Sequence, residues 1–322
     1  MFDVTALGEL LIDFTPCGLS TAGQNLFEQN PGGAPANVLA AVSRLGGRTT
    51  FMGKVGEDMH GRLLQKTLAE YGINTENLIL DPDYFTTLAF VSLENGERSF
   101  SFARKPGADT QLRKEEIRDD ILRDSFIFHF GSLSLTDEPA RSATLYAADQ
   151  AKAGGAVISY DPNYRAPLWK NEDIAIKQMR SVIPLVDIMK ISDEETTLLT
   201  DRADPEEAAH CLLGQGVSCV VVTLGSEGAL LCTKDFSVRK PSAAASVVDT
   251  TGAGDSFWGG LLYCLSRDRI RPETLTEEQA SSYLIYANTV AGLCVGKRGA
   301  IPAMPSGEEV EQCLQQNSSA RG

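Results

Sequence analysis

The chain has 322 residues, 43% of them hydrophobic and 22% charged. That is ordinary globular composition, long enough for one large α/β core or two domains and far from the disordered class. Its 29 basic and 43 acidic residues give a net charge of −14, which argues against nucleic-acid binding but leaves room for a small phosphorylated ligand held by backbone amides.

No apolar run approaches the eighteen residues of a membrane span. The opening MFDVTALGELLIDFTP carries acids early and no basic region, unlike a secretory signal. Seven cysteines (17, 211, 219, 232, 264, 294, 313) form no CxxC pair, which speaks against a disulfide framework or a structural zinc site. A cytoplasmic protein with reduced thiols and no membrane partner is the expectation.

Strand-like runs occur at 3–10, 49–55, 125–131, 156–161, 186–192 and 219–225. Helical periodicity fills 36–45, 59–71, 138–153, 172–182 and 205–213. Gly46-Gly47, Gly72 and Gly154-Gly155 follow three of these as helix stops. Continuous apolar strands alternating with helices predict a doubly wound, mostly parallel sheet with helices on both faces. Two stretches break this rhythm. Residues 86–104 read as two strands joined by Asn95-Gly96, and 11–33 mixes a strand with a polar loop. Both read as small antiparallel elements projecting from the main sheet, either a flap over a site or a surface hairpin. The expected organisation is one domain over 1–322, with a lid inserted as roughly 11–33 and 84–106.

In an open parallel sheet, ligands gather at the carboxyl ends of the strands. Those ends carry Asp161-Pro-Asn163, Ser192-Asp-Glu-Glu195, Thr223-Leu-Gly225 and the turn before Asp255. In DTTGAGDSFWGGLL (249–262), Phe257, Trp258, Leu261, Leu262 and Leu265 mark one face of a helix that starts near Asp255. Gly252, Ala253 and Gly254 precede it, so unpartnered first-turn amides meet a flexible turn that admits an anion. Asp255 is either a helix-capping acid or a general base pointed into that anion site. A P-loop is absent, since Gly47 and Gly53 stand one residue too far apart and Val55 follows Lys54. A GxGxxG fingerprint is absent too, because Phe257 stands where the third glycine belongs.

Gly32 and Gly33 precede a second helix with Asn37 inside it, which suits either a plain helix start or contact with sugar hydroxyls. Asp13, a carboxylate in the apolar run GELLIDF, needs a partner such as a pair of ligand hydroxyls. Glu195 is either a site for hydrated magnesium or one more solvated acid. His60, His129 and His210 have no metal-ligand spacing and no place in a Ser/His/Asp arrangement.

Together, GGAPAN (32–37) near the front and DTTGAGD (249–255) near the end resemble the two signature regions of the ribokinase-like (PfkB) carbohydrate kinases. The likeness spans nearly the whole chain. GELLIDFTP (8–16), FARKPGADTQL (102–112), DPNYR (161–165) and KISDEE (190–195) are most similar to fructokinases within that family. The resemblance implies an ATP-dependent kinase that phosphorylates the 6-hydroxyl of fructose. Asp255 would be the base and Gly252, Ala253 and Gly254 the anion hole. Asp13, Gly32, Gly33, Asn37, Arg104, Asn163 and Arg165 would bind the sugar, Arg104 reaching in from the lid. Ser192, Thr223, Gly225, Gly228, Asn288 and Gly299 would line the nucleotide. Glu195 would hold Mg2+ through water, and Asp249 and Thr251 a monovalent cation such as K+. Ser192 departs from the wider pattern, where Asn often stands.

The alternatives are a relative acting on ribose, 2-keto-3-deoxygluconate or a nucleoside, and a catalytically silent sugar-binding regulator. A homodimer formed through the lids is also expected, since an alternating apolar hairpin face is usually covered.

Overall fold

The computed structural model describes residues 1–94, 97–243 and 246–319. The expected Asn95-Gly96 turn lies outside the described residues. Strand β1 (Phe2–Leu7) opens the chain, followed by β2 (Leu11–Leu19), β3 (Asn25–Gly32) and α1 (Ala34–Arg44). Next come β4 (Thr49–Gly56), α2 (Met59–Glu70), β5 (Ile73–Asp81), β6 (Leu88–Glu94) and β7 (Glu97–Ala103). The middle of the chain repeats strand and helix: α3 (Asp119–Arg123), β8 (Ser125–Gly131), α4 (Ala140–Ala153), β9 (Val157–Asp161), α5 (Glu172–Ser181) and β10 (Ile188–Ser192). After α6 (Thr196–Thr200), α7 (Pro205–Gly214) and β11 (Cys219–Thr223) come the short β12 (Ala229–Cys232) and β13 (Ser237–Lys240). Three helices close the chain: α8 (Ala253–Asp268), α9 (Glu277–Cys294) and α10 (Gly307–Ser319).

The nine-stranded sheet runs β13-β12-β11-β10-β9-β8-β1-β4-β5. The strands from β11 to β5 pair in parallel, and β12 and β13 add an antiparallel edge. The chain proceeds outward from β1 in one direction as β4 and β5, and then from β8 to β11 in the other. The order therefore reverses at β1 and β8, the crevice where an open α/β sheet receives ligands.

Two cores flank the sheet, and strand alternation assigns each residue to one of them. On β10, Ile188 packs on the side of α1, α8 and α9, whereas Met189 and Ile191 pack on the other side. Lys190 therefore shares the α8 side with Ile188. The same reading places Ile127 on the α8 side of β8, and Phe128 and Phe130 opposite it.

The sequence-derived strands and helices all recur, with ends unchanged or moved by up to three residues. Three strands had no clear signal. β5 (INTENLILD) mixes polar residues into its apolar ones, and β12 and β13 are four residues each. The second, four-stranded sheet runs β3-β2-β6-β7, with β2 and β6 parallel and the two flanking hairpins antiparallel. It is built from the two stretches that broke the α/β rhythm.

Helices α1 and α8 pack closely because Gly259 has no side chain. A Cβ there would lie 2.6 Å from Ala41 Cβ and 2.8 Å from the Val38 carbonyl oxygen. Gly259→Ala is expected to lower the thermal midpoint, because overpacking costs about 1–3 kcal/mol and outweighs the roughly 0.5–1 kcal/mol that alanine gains inside a helix. An unchanged or higher midpoint in a thermal melt would show that these helices yield without cost.

Candidate active site

At the carboxyl edge of the sheet lies a cleft of about 420 Å3. Two helix starts meet in it. α1 begins after Gly33 at φ 118° and α8 after Gly252 at φ 75°, backbone conformations that favour glycine. At Gly33 a Cβ would strike the Glu9 carbonyl oxygen at 2.4 Å, and at Gly252 it would press on Ala300. From α1, Asn37 donates its amide to Asp255 Oδ2 on α8 at 2.8 Å. Asp255 is buried within the first turn of α8, beside Gly254, where backbone amides lack intrahelical acceptors. The Ala253 amide is the exception, reaching the Thr250 carbonyl at 3.2 Å.

Burial raises the proton affinity of Asp255, and the neighbouring Asp161 adds to it. The Asn37 hydrogen bond and the charges of Lys190 and Arg165 oppose this, leaving a carboxyl above its ordinary range. Asp13 lies on β2 and is held at about 6, mainly by burial and further by Asp255, with Arg165 opposing. A Cβ on Gly32 would sit 2.4 Å from Asp13 Oδ2, so the bare glycine makes room for that carboxylate.

Of the residues singled out in the sequence, Asp13, Gly33, Asn37, Asn163, Arg165, Ser192, Glu195, Thr223, Thr251, Gly252, Ala253, Gly254 and Asp255 all line the cleft. Arg104 does not. Its guanidinium is buried and donates to Asp109 at 2.7 Å, Thr136 at 2.9 Å and the Leu133 carbonyl at 2.8 Å. The arginine exposed in the cleft is Arg165. Gly225 opens the turn after β11 with free space before it, whereas a Cβ on Gly228 would collide with the Lys240 carbonyl. Asn288, on α9, pins the Lys240 and Pro241 carbonyls at 3.3 and 3.0 Å. Gly225, Gly228, Asn288 and Gly299 are thus behind or beyond the cleft wall.

Asp249 ties two loops together. One oxygen accepts the Thr251 amide and hydroxyl at 3.0 and 2.7 Å, the other the Gly299 amide at 3.1 Å. An anionic oxygen between two loops is a donor suited to a monovalent cation. Glu195 is buried and accepts the Tyr164 amide at 2.7 Å and the Ser192 amide at 2.8 Å. It fastens the 161–165 loop to the end of β10 while lining the cleft. Among the described residues no cluster of three His, Cys, Asp or Glu is placed to hold a metal. One or two carboxylates without a cage match Mg2+, which keeps waters and takes most other ligands from substrate phosphates.

Three residues in or beside the cleft were given no role from the sequence. Glu9 follows β1 and accepts the Ala34 amide at 2.9 Å. Burial pushes its carboxyl up to about 7. Lys190 and Asp161 form a buried ion pair at 2.7 Å. Both acids were visible as polar residues at strand ends, and Lys190 as a cation inside an apolar strand. No local motif singled them out.

The pfkB family carbohydrate kinase pattern matches residues 1–307. The chain belongs to this family. It is 44% identical over 316 residues to probable fructokinase-6, chloroplastic, of Arabidopsis thaliana, covering 97% of this chain and 82% of the relative. The fructokinase of Xylella fastidiosa solved with bound ATP superposes with a TM-score of 0.92 at 35% identity, over 99% of this chain and 100% of that one. A fructokinase double mutant from Vibrio cholerae O395, solved with fructose, ADP and potassium, superposes at 0.86 with 34% identity over 97% of each chain. The fold is therefore ribokinase-like, and the protein is an ATP-dependent sugar kinase of this family. No helix among the described residues is long and apolar enough to cross a membrane.

Because Asp13 binds its proton more tightly folded than unfolded, ionising it costs stability as pH rises from its ordinary value of 3.8 through about 6. Asp13→Asn is expected to raise the thermal midpoint of the ligand-free protein at pH 8, the gain shrinking as pH falls through 6 towards 4. A gain that stays constant across that range would refute the assignment.

Proposed function

We propose that this kinase transfers the γ-phosphoryl group of ATP to the 6-hydroxyl of fructose. The observation that carries this is the Asp255 carboxyl, buried at the start of α8, held by Asn37 and facing the same cleft as Gly252 and Gly254. The fructokinase names of the relatives support the sugar.

Phosphoryl transfer asks mainly for positioning and charge stabilisation. Asp255 takes the proton of the attacking hydroxyl, the oxygen–phosphorus bond forms, and the bond to the bridging oxygen of the leaving ADP breaks. The first-turn amides of α8 and its positive dipole end hold the transferring group. Asp13, Asn37, Asn163 and Arg165 orient the sugar, with Gly32 and Gly33 giving close backbone approach. Ser192 and Thr223 face the nucleotide side, and Gly225, Gly228, Asn288 and Gly299 shape the loops around it. Glu195 would hold Mg2+ through water, and Asp249 and Thr251 would border K+. The cations neutralise phosphate charge and shape the anion hole.

The chain forms one α/β domain, and the small sheet acts as its lid. Asp13 and Thr15 of β2, Val91 of β6 and Phe102 of β7 all reach the cleft wall. Elsewhere on that sheet Leu19, Leu26, Phe27 and Phe90 are exposed. Phe90 stacks on Phe14 at 5.1 Å and meets Phe27 edge-on at 6.4 Å. A second lid would cover this apolar surface, giving a homodimer. The location we propose is cytoplasmic.

The reading is tested by ADP release with ATP, Mg2+ and a panel of sugars. Fructose is expected to drive turnover, and Asp255→Asn to cut it by about two orders of magnitude or more, as loss of a general base typically costs. Preference for another sugar would remove the fructose assignment, and an active mutant would remove the mechanism. For the dimer, Phe90→Asp is expected to shift sedimentation from two chains to one. A wild-type monomer at micromolar concentration would overturn the lid interface.

A further inference from the structure

The cleft is lined by the carboxyls of Glu9, Asp13, Glu194, Glu195 and Asp255, and by two cations, Lys190 and Arg165. A site that admits a polyanion cannot hold its carboxylates unopposed. Arg165 is exposed and lies on a loop. Lys190 is different: it sits within β10, is 5% exposed, and alternation turns it towards α8. Its ammonium would lie 3.5 Å from a Cβ on Gly254, directly under the glycine turn. Among the described residues Asp161 is its one hydrogen-bond partner, at 2.7 Å. Asp161 in turn accepts the Asn163 amide at 3.2 Å, at the start of the loop that carries Asn163 and Arg165 into the cleft.

We propose that Lys190 is a positioning residue for phosphoryl transfer: its buried ammonium keeps Asp255 in the carboxylate form that can accept the hydroxyl proton, and anchors the 161–165 loop through Asp161. The inference rests on Asp255 being the base. Asn37 of α1, Asp13 of β2, Asp161 at the end of β9, Arg165 after it, Lys190 of β10 and Cys294 of α9 are the polar and charged groups that act on it. Of the two cations, only Lys190 is fixed inside the core. Burial lowers its proton affinity, but Asp161, Glu195 and Asp255 outweigh that and hold it charged. Its neighbour His129 is kept neutral by burial and by the Lys190 charge, at about 3, so it supplies no second positive charge.

The test is the acidic limb of the pH profile of kcat/KM for fructose. In Lys190→Met the limb is expected to rise by about one unit or more, the usual effect of removing a close opposite charge, with turnover recovering at alkaline pH. Asp161→Asn removes the competing negative charge, so its limb is expected to fall or stay. Lys190→Arg should keep the wild-type limb. A strut without electrostatic function would lower turnover equally at every pH, so an unmoved limb in Lys190→Met, or limbs that rise in both variants, overturns the proposal. If Lys190→Met does not fold or is inactive throughout, the Arg variant decides, and an inactive Arg variant overturns it as well. The same shift is read without substrate, as the pH at which Asp255→Asn ceases to alter the thermal midpoint, in the wild-type and the Lys190→Met backgrounds. Failure there, beside intact fructose turnover that Asp255→Asn abolishes, sinks the Lys190 inference and leaves the kinase reading standing.

Discussion

The hydrogen bond from Asn37 to Asp255 is the contact on which the site depends, because it joins the starts of two helices that the chain reaches 218 positions apart. Each helix begins at a glycine with positive φ, so each presents first-turn amides to the same space. The two dipole ends would repel one another without an anion between them, and Asp255 supplies that anion inside the protein. The bond fixes the carboxyl, and the close packing at Gly259 fixes the distance between the helices behind it. Under the proposed mechanism, a carboxylate stands beside the anion hole because the attacking hydroxyl must meet its base and the phosphoryl group in one place.

The cost of this arrangement is electrostatic. Five carboxyls face one cleft, and burial lifts at least Glu9, Asp13 and Asp255 above their ordinary range. Glu9, raised to about 7, is partly protonated at neutral pH, which lowers the negative potential of the cleft. Glu195 is held differently, since its carboxylate accepts two backbone amides, from Tyr164 and Ser192.

The fold was legible where the apolar period was clean: the six strands and five helices read from periodicity all recur. β5, β12 and β13 were hidden by polar residues or by shortness. Asp255 and its glycine turn were legible because helix start, glycines and acid stand together in the chain. Lys190 and Asp161 were not, since their pairing joins neighbouring parallel strands across 29 residues and leaves no local trace. Arg104 shows the opposite failure. Sequence places an arginine near the small sheet, but it cannot report that Asp109, five residues on, encloses the guanidinium.

The two sheets divide the work. The Lys190–Asp161 pair, Asp255 and Asn37 belong to the large sheet and its buried helices, while Asp13, Thr15, Val91 and Phe102 belong to the small one. The segment from β5 to β6, which leads from one sheet to the other, is pinned where Asp58 accepts the Thr86 amide and hydroxyl and Asp81 accepts the amides of Asp83 and Tyr84. Thr87 and Gly107 then stand against Asp109, the partner of Arg104. The Arg104–Asp109 pair is buried, and removing either partner would leave the other charge buried and unpaired, which is strongly destabilising. Arg104 is therefore a fastening: its guanidinium joins Asp109 to Thr136 and the Leu133 carbonyl, and so ties the end of β7 to the segment that follows β8.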